Sequence, residues 1–425
     1  MKASKLLSNL LRLRVHHGLA LVLLAVGIYS AITSIRIAAV DYYPTYTNLD
    51  LRLRYDECAC AHTGVNPFHV WNHDVVSENF RGLDRPDLET DSDATKRSVH
   101  NYPPWHMAYT WFYAKLPFHY LASWFFFVSG MCFVGLLFYL KHHFPPSDRL
   151  FAVSLFVFEW ANAIVWCQAL GNYGILVGSL LVPLIWLVQK GHQVGAGIVW
   201  GLMMVKPQIA VLLFFPLLFQ RKYVTIAVAV LQCVLATCWT ASVYGESPIA
   251  LLLQIPASGA PYRLSVYFIR VTLETLGISS AFPHVVWSVL CAAACGWFSW
   301  RLRRCPNAVF RFAPAAFFFL YWTYANDTDS VATWPFLLAE LSVFLSVFCR
   351  RGWSWGKVLL TGYFIVRILS LKSEKILRLL GAYSSANEAI ASAMVNFLTF
   401  SVGVSVLILL VRRIPSPAEQ GGMRL

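Results

Sequence analysis

Charge is what this sequence has least of. Asp, Glu, Lys and Arg make up only 13% of its 425 residues, where a soluble domain carries about a quarter. That shortage argues against an ordinary soluble fold. No heptad, repeat or low-complexity tract stands out, and the pseudo-symmetric halves of many secondary transporters are not visible. A disulfide framework is lacking too. Of ten cysteines, eight sit in or beside apolar runs, where Cys acts as a small hydrophobe. Cys58 and Cys60 lie in polar sequence, but cysteines two apart rarely form an unstrained bridge. Asp56, Cys58, Cys60 and His62 offer ligand atoms at a spacing that matches no well-attested zinc pattern.

Apolar sequence fills the space that charge leaves. Hydrophobic residues reach 58% and aromatics 15%. Many apolar runs approach the ~20 residues needed to cross a bilayer. The expectation is an all-α polytopic membrane protein with a single transmembrane domain over 18–411. The net charge of +13 is unevenly placed: residues 41–100 hold 11 acidic and 6 basic side chains. The basic excess sits in short loops and at the N-terminus. That is a positive-inside signature, and no nucleic-acid partner is implied.

The chain reads in order as follows. Residues 1–17 form a basic cytoplasmic segment, and an uncleaved first helix then runs outward. Residues 41–115 form one large extracytoplasmic loop, too long for a plain connector. Further spans are expected near 116–140, 150–170 and 224–244, with a tight turn at Gly171-Asn172-Tyr173-Gly174. The run Gln193 to Gln220 has basic residues at both ends yet is too short for two full spans. A hairpin of two short helices with Lys206-Pro207 near its tip fits it, since proline ends the first helix. Later helices end at Arg301, at Asn326-Asp327, at Arg350 and at Arg412-Arg413. The total is about twelve helices with both chain ends inside, and 412–425 is a cytoplasmic tail.

Two side chains stand out chemically. Asp41 follows the first apolar run directly, with Tyr42, Tyr43 and Tyr46 beside it. A carboxylate at a helix exit can take a proton from a substrate hydroxyl; it can also simply cap a helix or be solvated. Lys206 lies deep in an apolar stretch, and such a residue is functional by default. Its other reading is snorkelling to a headgroup. Gln208 can hydrogen-bond the same ligand or serve packing. Arg263 and Arg270 can clamp a phosphate through bidentate bonds or be solvated loop residues. Asp327 and Asp329 read more as a turn than as a metal pair. Glu159 and Asn162 are polar and intramembrane. His100, His106 and His119 flank Tyr102-Pro103-Pro104 and, as lone loop histidines, read mostly as structural, while Trp71, Tyr102 and Trp105 are either interface anchors or aromatic faces for a ligand ring.

The succession of these motifs carries a resemblance. Asp41 comes first with Tyr46 downstream, then Gly64-Val65-Asn66-Pro67-Phe68, then Tyr102-Pro103-Pro104. Gly171-Asn172 and Lys206-Pro207-Gln208 follow. Over roughly residues 20–340 this pattern resembles the GT-C superfamily of membrane glycosyltransferases. More finely it resembles glycosyltransferase family 87, which includes polyprenyl-phosphate-mannose-dependent mannosyltransferases. The chain departs from that family at Asn172, where Gln is usual, and at Asn326, where His or Tyr is common. The resemblance implies transfer of a sugar, mannose foremost, from a polyprenyl-phosphate donor to a lipid or glycan acceptor on the extracytoplasmic face. Asp41 would be the general base. Lys206, Gln208, Tyr46, Asn66, Tyr102, Asn172, Arg263 and Arg270 would bind substrate. No metal or soluble cofactor is expected, and membrane lipids surround the protein. The main rival is a transporter or flippase of lipid-linked sugars; a non-catalytic assembly subunit is a second.

Overall fold

The computed structural model describes residues 49–62, 66, 102–144, 149–258, 282–322, 327–348 and 385–412, with scattered helical positions between 21 and 32. Among them every regular element is helical. Asp41, Tyr46, Arg263 and Arg270 lie outside the described residues, as does the loop near Lys372. The chain divides into two compact units. The first comprises Met1–Ala210, Val224–Ala260 and Asn326–Ala332; the second comprises Val211–Tyr223, Pro261–Ala325 and Thr333–Leu425.

The first unit begins with α1 (Leu49–His62) and α2 (Pro104–Thr110), both within the stretch 41–115. A 3-10 turn (Trp111–Lys115) leads into α3 (Phe118–Lys141). Helix α3 buries Leu121, Phe125, Ser129, Leu136 and Leu140 along one stripe and exposes Phe126, Phe127, Met131, Val134 and Phe138. An exposed face this apolar suits lipid, where a soluble helix would carry charge. Lys141 ends the helix with its ammonium 4.1 Å from the Phe138 ring.

Helix α4 (Arg149–Leu170) and α5 (Gly174–Lys190) meet at a bend of 114°. Gly171 takes φ +70, the left-handed conformation that closes a helix. The Asn172 N–H then reaches back to the Cys167 carbonyl at 2.8 Å. Any side chain at 171 would strike the buried Leu51 of α1. So one glycine both ends α4 and lets α1 lie against the turn. Helix α5 closes the same way, with Gly191 at φ 80 and the His192 N–H on the Leu187 carbonyl at 2.9 Å.

Helix α6 (Gln193–Met203) stops at a turn over Met204–Lys206. Pro207 then opens α7 (Pro207–Ala210), and the chain continues into a 3-10 turn (Val211–Leu213) and α8 (Phe214–Phe219), both of the second unit. The Trp200 indole N–H donates to the Ala210 carbonyl at 2.9 Å, so α7 folds back on α6. Helix α9 (Tyr223–Tyr244) packs against α6 through two glycines. A Cβ on Gly197 would sit 2.6 Å from Val228, and one on Gly201 would strike the Gln232 amide. Helix α10 (Pro248–Ser258) follows.

The second unit holds α11 (Phe282–Leu302), α12 (Ala308–Trp322), α13 (Trp334–Phe348) and α14 (Ser385–Arg412). Helix α12 is its core: Phe312, Phe317, Phe318 and Phe319 are all buried. The Phe317 ring meets Phe336 at 4.6 Å and Phe400 at 5.8 Å. The Trp287 indole N–H donates to the Tyr321 carbonyl at 2.7 Å, and the Ser288 hydroxyl donates to Trp322. These bonds satisfy carbonyls that the helix end leaves open.

Among the described residues, three helices are long and apolar enough to cross a membrane: Phe118–Lys141, Tyr223–Tyr244 and Val285–Leu302. Joining the bent pair at Gly171 would make four.

Candidate active site

The polar interior of the first unit gathers around the turn that follows α4. Asn172 is 3% exposed and Lys206 1%. The Lys206 ammonium donates to Asn172 Oδ1 at 2.6 Å. The same oxygen accepts the Gly174 N–H at 2.9 Å and so caps α5. On its other side Asn172 Nδ2 donates to the Asp50 carboxylate at 2.7 Å. An acid in the first turn of α1, an amide in the turn and a lysine after α6 thus form one row. Residues 172 and 206, paired only by motif order in the sequence, are in direct contact.

One helical turn beyond Asp50, α1 buries a second charged pair. Arg54 Nη1 lies 2.9 Å from Glu57 Oε1, with both side chains almost wholly buried. The guanidinium also stands 4.2 Å over the Tyr102 ring, a favourable cation–π arrangement. Burial works against the Arg54 charge, but Glu57, then Tyr102, Tyr173 and Asp50, raise its pKa above the ordinary value. Tyr102 in turn faces His106 at 4.7 Å and Tyr173 at 5.9 Å between ring centroids. His106 Nε2 is 3.3 Å from the Tyr173 hydroxyl, which donates to Tyr113 at 3.3 Å. Burial pushes the Tyr113 phenol up to about 12. A wall of aromatic rings therefore flanks the charged row.

Asn66 is placed elsewhere. It is buried, and its amide donates to Glu246 at 2.5 Å. Gln254 Nε2 donates to the other oxygen of Glu246 at 3.2 Å. Cys58 donates to the Thr110 carbonyl and hydroxyl, both at 3.2 Å, while His62 stacks on Trp111 at 3.8 Å. Gln208 is half-buried in α7. The backbone of Asp327 and Asp329 forms a 3-10 turn (Asp327–Thr333), and their side chains, like those of Glu159 and Asn162, lie outside the described residues.

An apolar cavity of about 200 Å³ opens beside the Lys206 turn. Trp105, Trp200, Met204, Cys233, Thr237 and Leu252 are among its lining. The Trp105 indole N–H donates to the Met204 carbonyl at 2.8 Å, so one wall is tied to the turn itself.

A sequence model of glycosyltransferase family 87 matches residues 100–323, a little over half of the chain. The chain belongs to glycosyltransferase family 87. No curated protein and no solved structure matches it. Membership makes it a glycosyltransferase, and its apolar helices make it a membrane protein. Tyr102, Asn172, Lys206 and Gln208 fall inside the span that matches family 87. Asp50, Arg54, Glu57 and Asn66 precede it. Asp50, Arg54, Glu57, Tyr113, Tyr173 and Glu246 were not singled out in the sequence as site residues. For Arg54 and Glu57 the one signal was indirect: their spacing puts them with Leu51 and Cys58 on one face of α1.

Proposed function

We propose that this family 87 protein transfers one sugar, mannose foremost, from a polyprenyl-phosphate carrier to a lipid or glycan acceptor on the extracytoplasmic face. The observation that carries the reading is Lys206, fully buried in a turn whose Met204 lines an apolar cavity. A buried cation next to an apolar space suits a lipid phosphate, whose head needs the charge and whose tail needs the cavity. The acceptor oxygen attacks the anomeric carbon as the bond to the lipid phosphate breaks. The acceptor proton goes to the Asp41 carboxylate, and polyprenyl phosphate leaves as its dianion, stabilised by Lys206. Arg263 and Arg270 add contacts to that phosphate, and Tyr46 and Gln208 to the bound substrate. Tyr102 presents its ring to the sugar. The donor enters sideways through the bilayer, within a frame of about twelve spans that keeps both chain ends in the cytoplasm. This chemistry draws on no metal or soluble cofactor.

The test is sugar transfer by purified wild type and Asp41→Asn in liposomes, using radiolabelled polyprenyl-phosphate-mannose and a lipid extract. Wild type is expected to form glycolipid, and the well-folded variant to lose about 100-fold or more. Equal activity in both would move the base to another residue. Movement of label across the bilayer without transfer by wild type would favour a flippase.

A further inference from the structure

Four arginines of the second unit crowd together at one end of α11. Arg301 lies in the last turn of that helix, Arg303 and Arg304 follow it, and Arg221 stands in the turn after α8. Local packing brings them together. Helix α8 lies against α11, where a Cβ on Gly296 would meet the Phe215 ring at 3.2 Å. Arg311, in the first turn of α12, donates to the Cys305 carbonyl at 2.7 Å and to Gln220 Oε1 at 3.2 Å. It thereby ties the residue before Arg221 to the residue after Arg304.

The cluster costs free energy in two ways. Its charges repel one another: after partial burial, the fields of Arg304, Arg221 and Arg301 hold the Arg303 pKa below its ordinary value. Among the described residues, no carboxylate stands within salt-bridge reach of the four. Arg221 also takes φ 59, a left-handed conformation that ordinarily falls to glycine. It closes α8 there, with the Arg221 N–H on the Leu218 carbonyl and the Lys222 N–H on the Leu217 carbonyl, both at 2.9 Å. A glycine would make that turn without strain or charge. A helix dipole favours cations at the end of α11, and basic residues beside a span set its orientation. Neither effect needs a charge at the left-handed position.

The depth of the cluster says what would repay these costs. The apolar stretch of α11 that is long enough to cross a membrane ends at Leu302. Trp297 and Trp300 near that end are exposed, and exposed tryptophans at the end of a span sit at headgroup level. The Arg303 guanidinium stands 4.6 Å over the Trp300 ring, and that of Arg301 lies 5.8 Å from it. Arg221, Arg301 and Arg304 are exposed. Guanidinium forks are therefore gathered at the level of lipid phosphates, whose geometry they match.

We propose that Arg221, Arg301, Arg303 and Arg304 form a binding site for the phosphate headgroup of an anionic phospholipid, in the leaflet that the basic loops face. The site draws on no residue of the transfer site and does not depend on how transfer proceeds.

The test uses purified full-length protein in neutral detergent, titrated with dioleoylphosphatidylglycerol. Bound lipid is read by native mass spectrometry, together with the thermal unfolding midpoint. Phosphatidylglycerol is expected to bind and raise the midpoint, and dioleoylphosphatidylcholine to do neither at the same concentration. Each guanidinium removed is expected to weaken binding about fivefold. Arg221→Gly is decisive because it removes charge and backbone strain together. Its midpoint without lipid should equal or exceed that of wild type while its lipid binding falls. Arg304→Gln, exposed and outside that turn, should weaken binding equally, and it decides the matter if Arg221→Gly does not fold. Lys190→Gln removes one exposed charge from the end of α5 in the first unit and should leave binding unchanged. An equal loss in Lys190→Gln would mean diffuse basic attraction and overturn the site. Full binding by Arg304→Gln and by folded Arg221→Gly, or equal binding of the two lipids by wild type, would overturn it as well. A midpoint raised as far by inorganic phosphate alone would assign the anion to solution and overturn the lipid reading.

Discussion

The two compact units fill their interiors with different chemistry. Among the described residues, the first buries Arg54, Glu57, His106 and Lys206, with Asn66 and Asn172 beside them. The second buries Phe312, Phe317, Phe318, Phe319 and Trp334, and among its described residues Glu340 is the one buried Asp, Glu, Lys, Arg or His. Taking a charge out of water costs several kcal/mol even when it is paired. A chain with so little charge to place has concentrated its buried share in one unit. Among the described residues, that contrast is the reason the proposed Lys206 contact is sought in the first unit, while the described part of the second is mostly packing.

The largest expected effect tests the packing side. Phe317→Ala removes a ring that meets Phe318, Phe336 and Phe400. It is expected to cost about 3–5 kcal/mol in a reversible unfolding titration in detergent. The donor KM of the fraction that remains folded should not move. A changed KM would break the division of labour between the units. The polar side answers to Arg54→Met, expected to cost about 3 kcal/mol because Glu57 loses its guanidinium partner in a buried site. Adding Glu57→Met should recover most of that stability in the same titration. Recovery of stability without recovery of transfer would show that the pair is kept for function.

Much of this frame was legible in the sequence, for reasons that differ from element to element. Long apolar runs fix helices well: spans read near 116–140 and 224–244 are α3 (Phe118–Lys141) and α9 (Tyr223–Tyr244). Lys206 was legible because a lysine in an apolar run is conspicuous, and Asn172 because Gly171 marks a turn. Their contact, across 34 residues, is a product of tertiary packing alone. Asp50, Arg54 and Glu57 were illegible for the opposite reason. In a polar stretch, charges look like an ordinary solvated face, and only the fold shows that α1 turns them inward. Asn66 matched a family motif, yet its partner Glu246 lies 180 residues on. Where the sequence reads one short helix after Lys206, the chain forms α7, a 3-10 turn and α8. Pro216 within that stretch has no N–H to continue a regular helix from the turn before it.

The smallest effect separates packing from chemistry inside the first unit itself. Helix α6 carries glycines at 195, 197 and 201, ahead of the Lys206 turn. Gly195 has room: an added Cβ would meet only Leu187 methyls at 3.5–3.6 Å. Gly197 has none, with Val228 at 2.6 Å and the Thr225 carbonyl at 2.8 Å. Alanine is the better helix former at both positions by roughly 0.5–1 kcal/mol. Gly195→Ala should therefore raise the unfolding midpoint slightly. Gly197→Ala should lower stability by about 1–3 kcal/mol, since α6 and α9 must separate to admit the methyl. Because α9 also lines the apolar cavity, that separation should widen the cavity next to Met204. A raised donor KM in Gly197→Ala, absent from Gly195→Ala, would tie the glycine seam to the lipid-facing half of the site. Equal behaviour of the two variants would mean that the seam is looser than the close approach of Val228 requires.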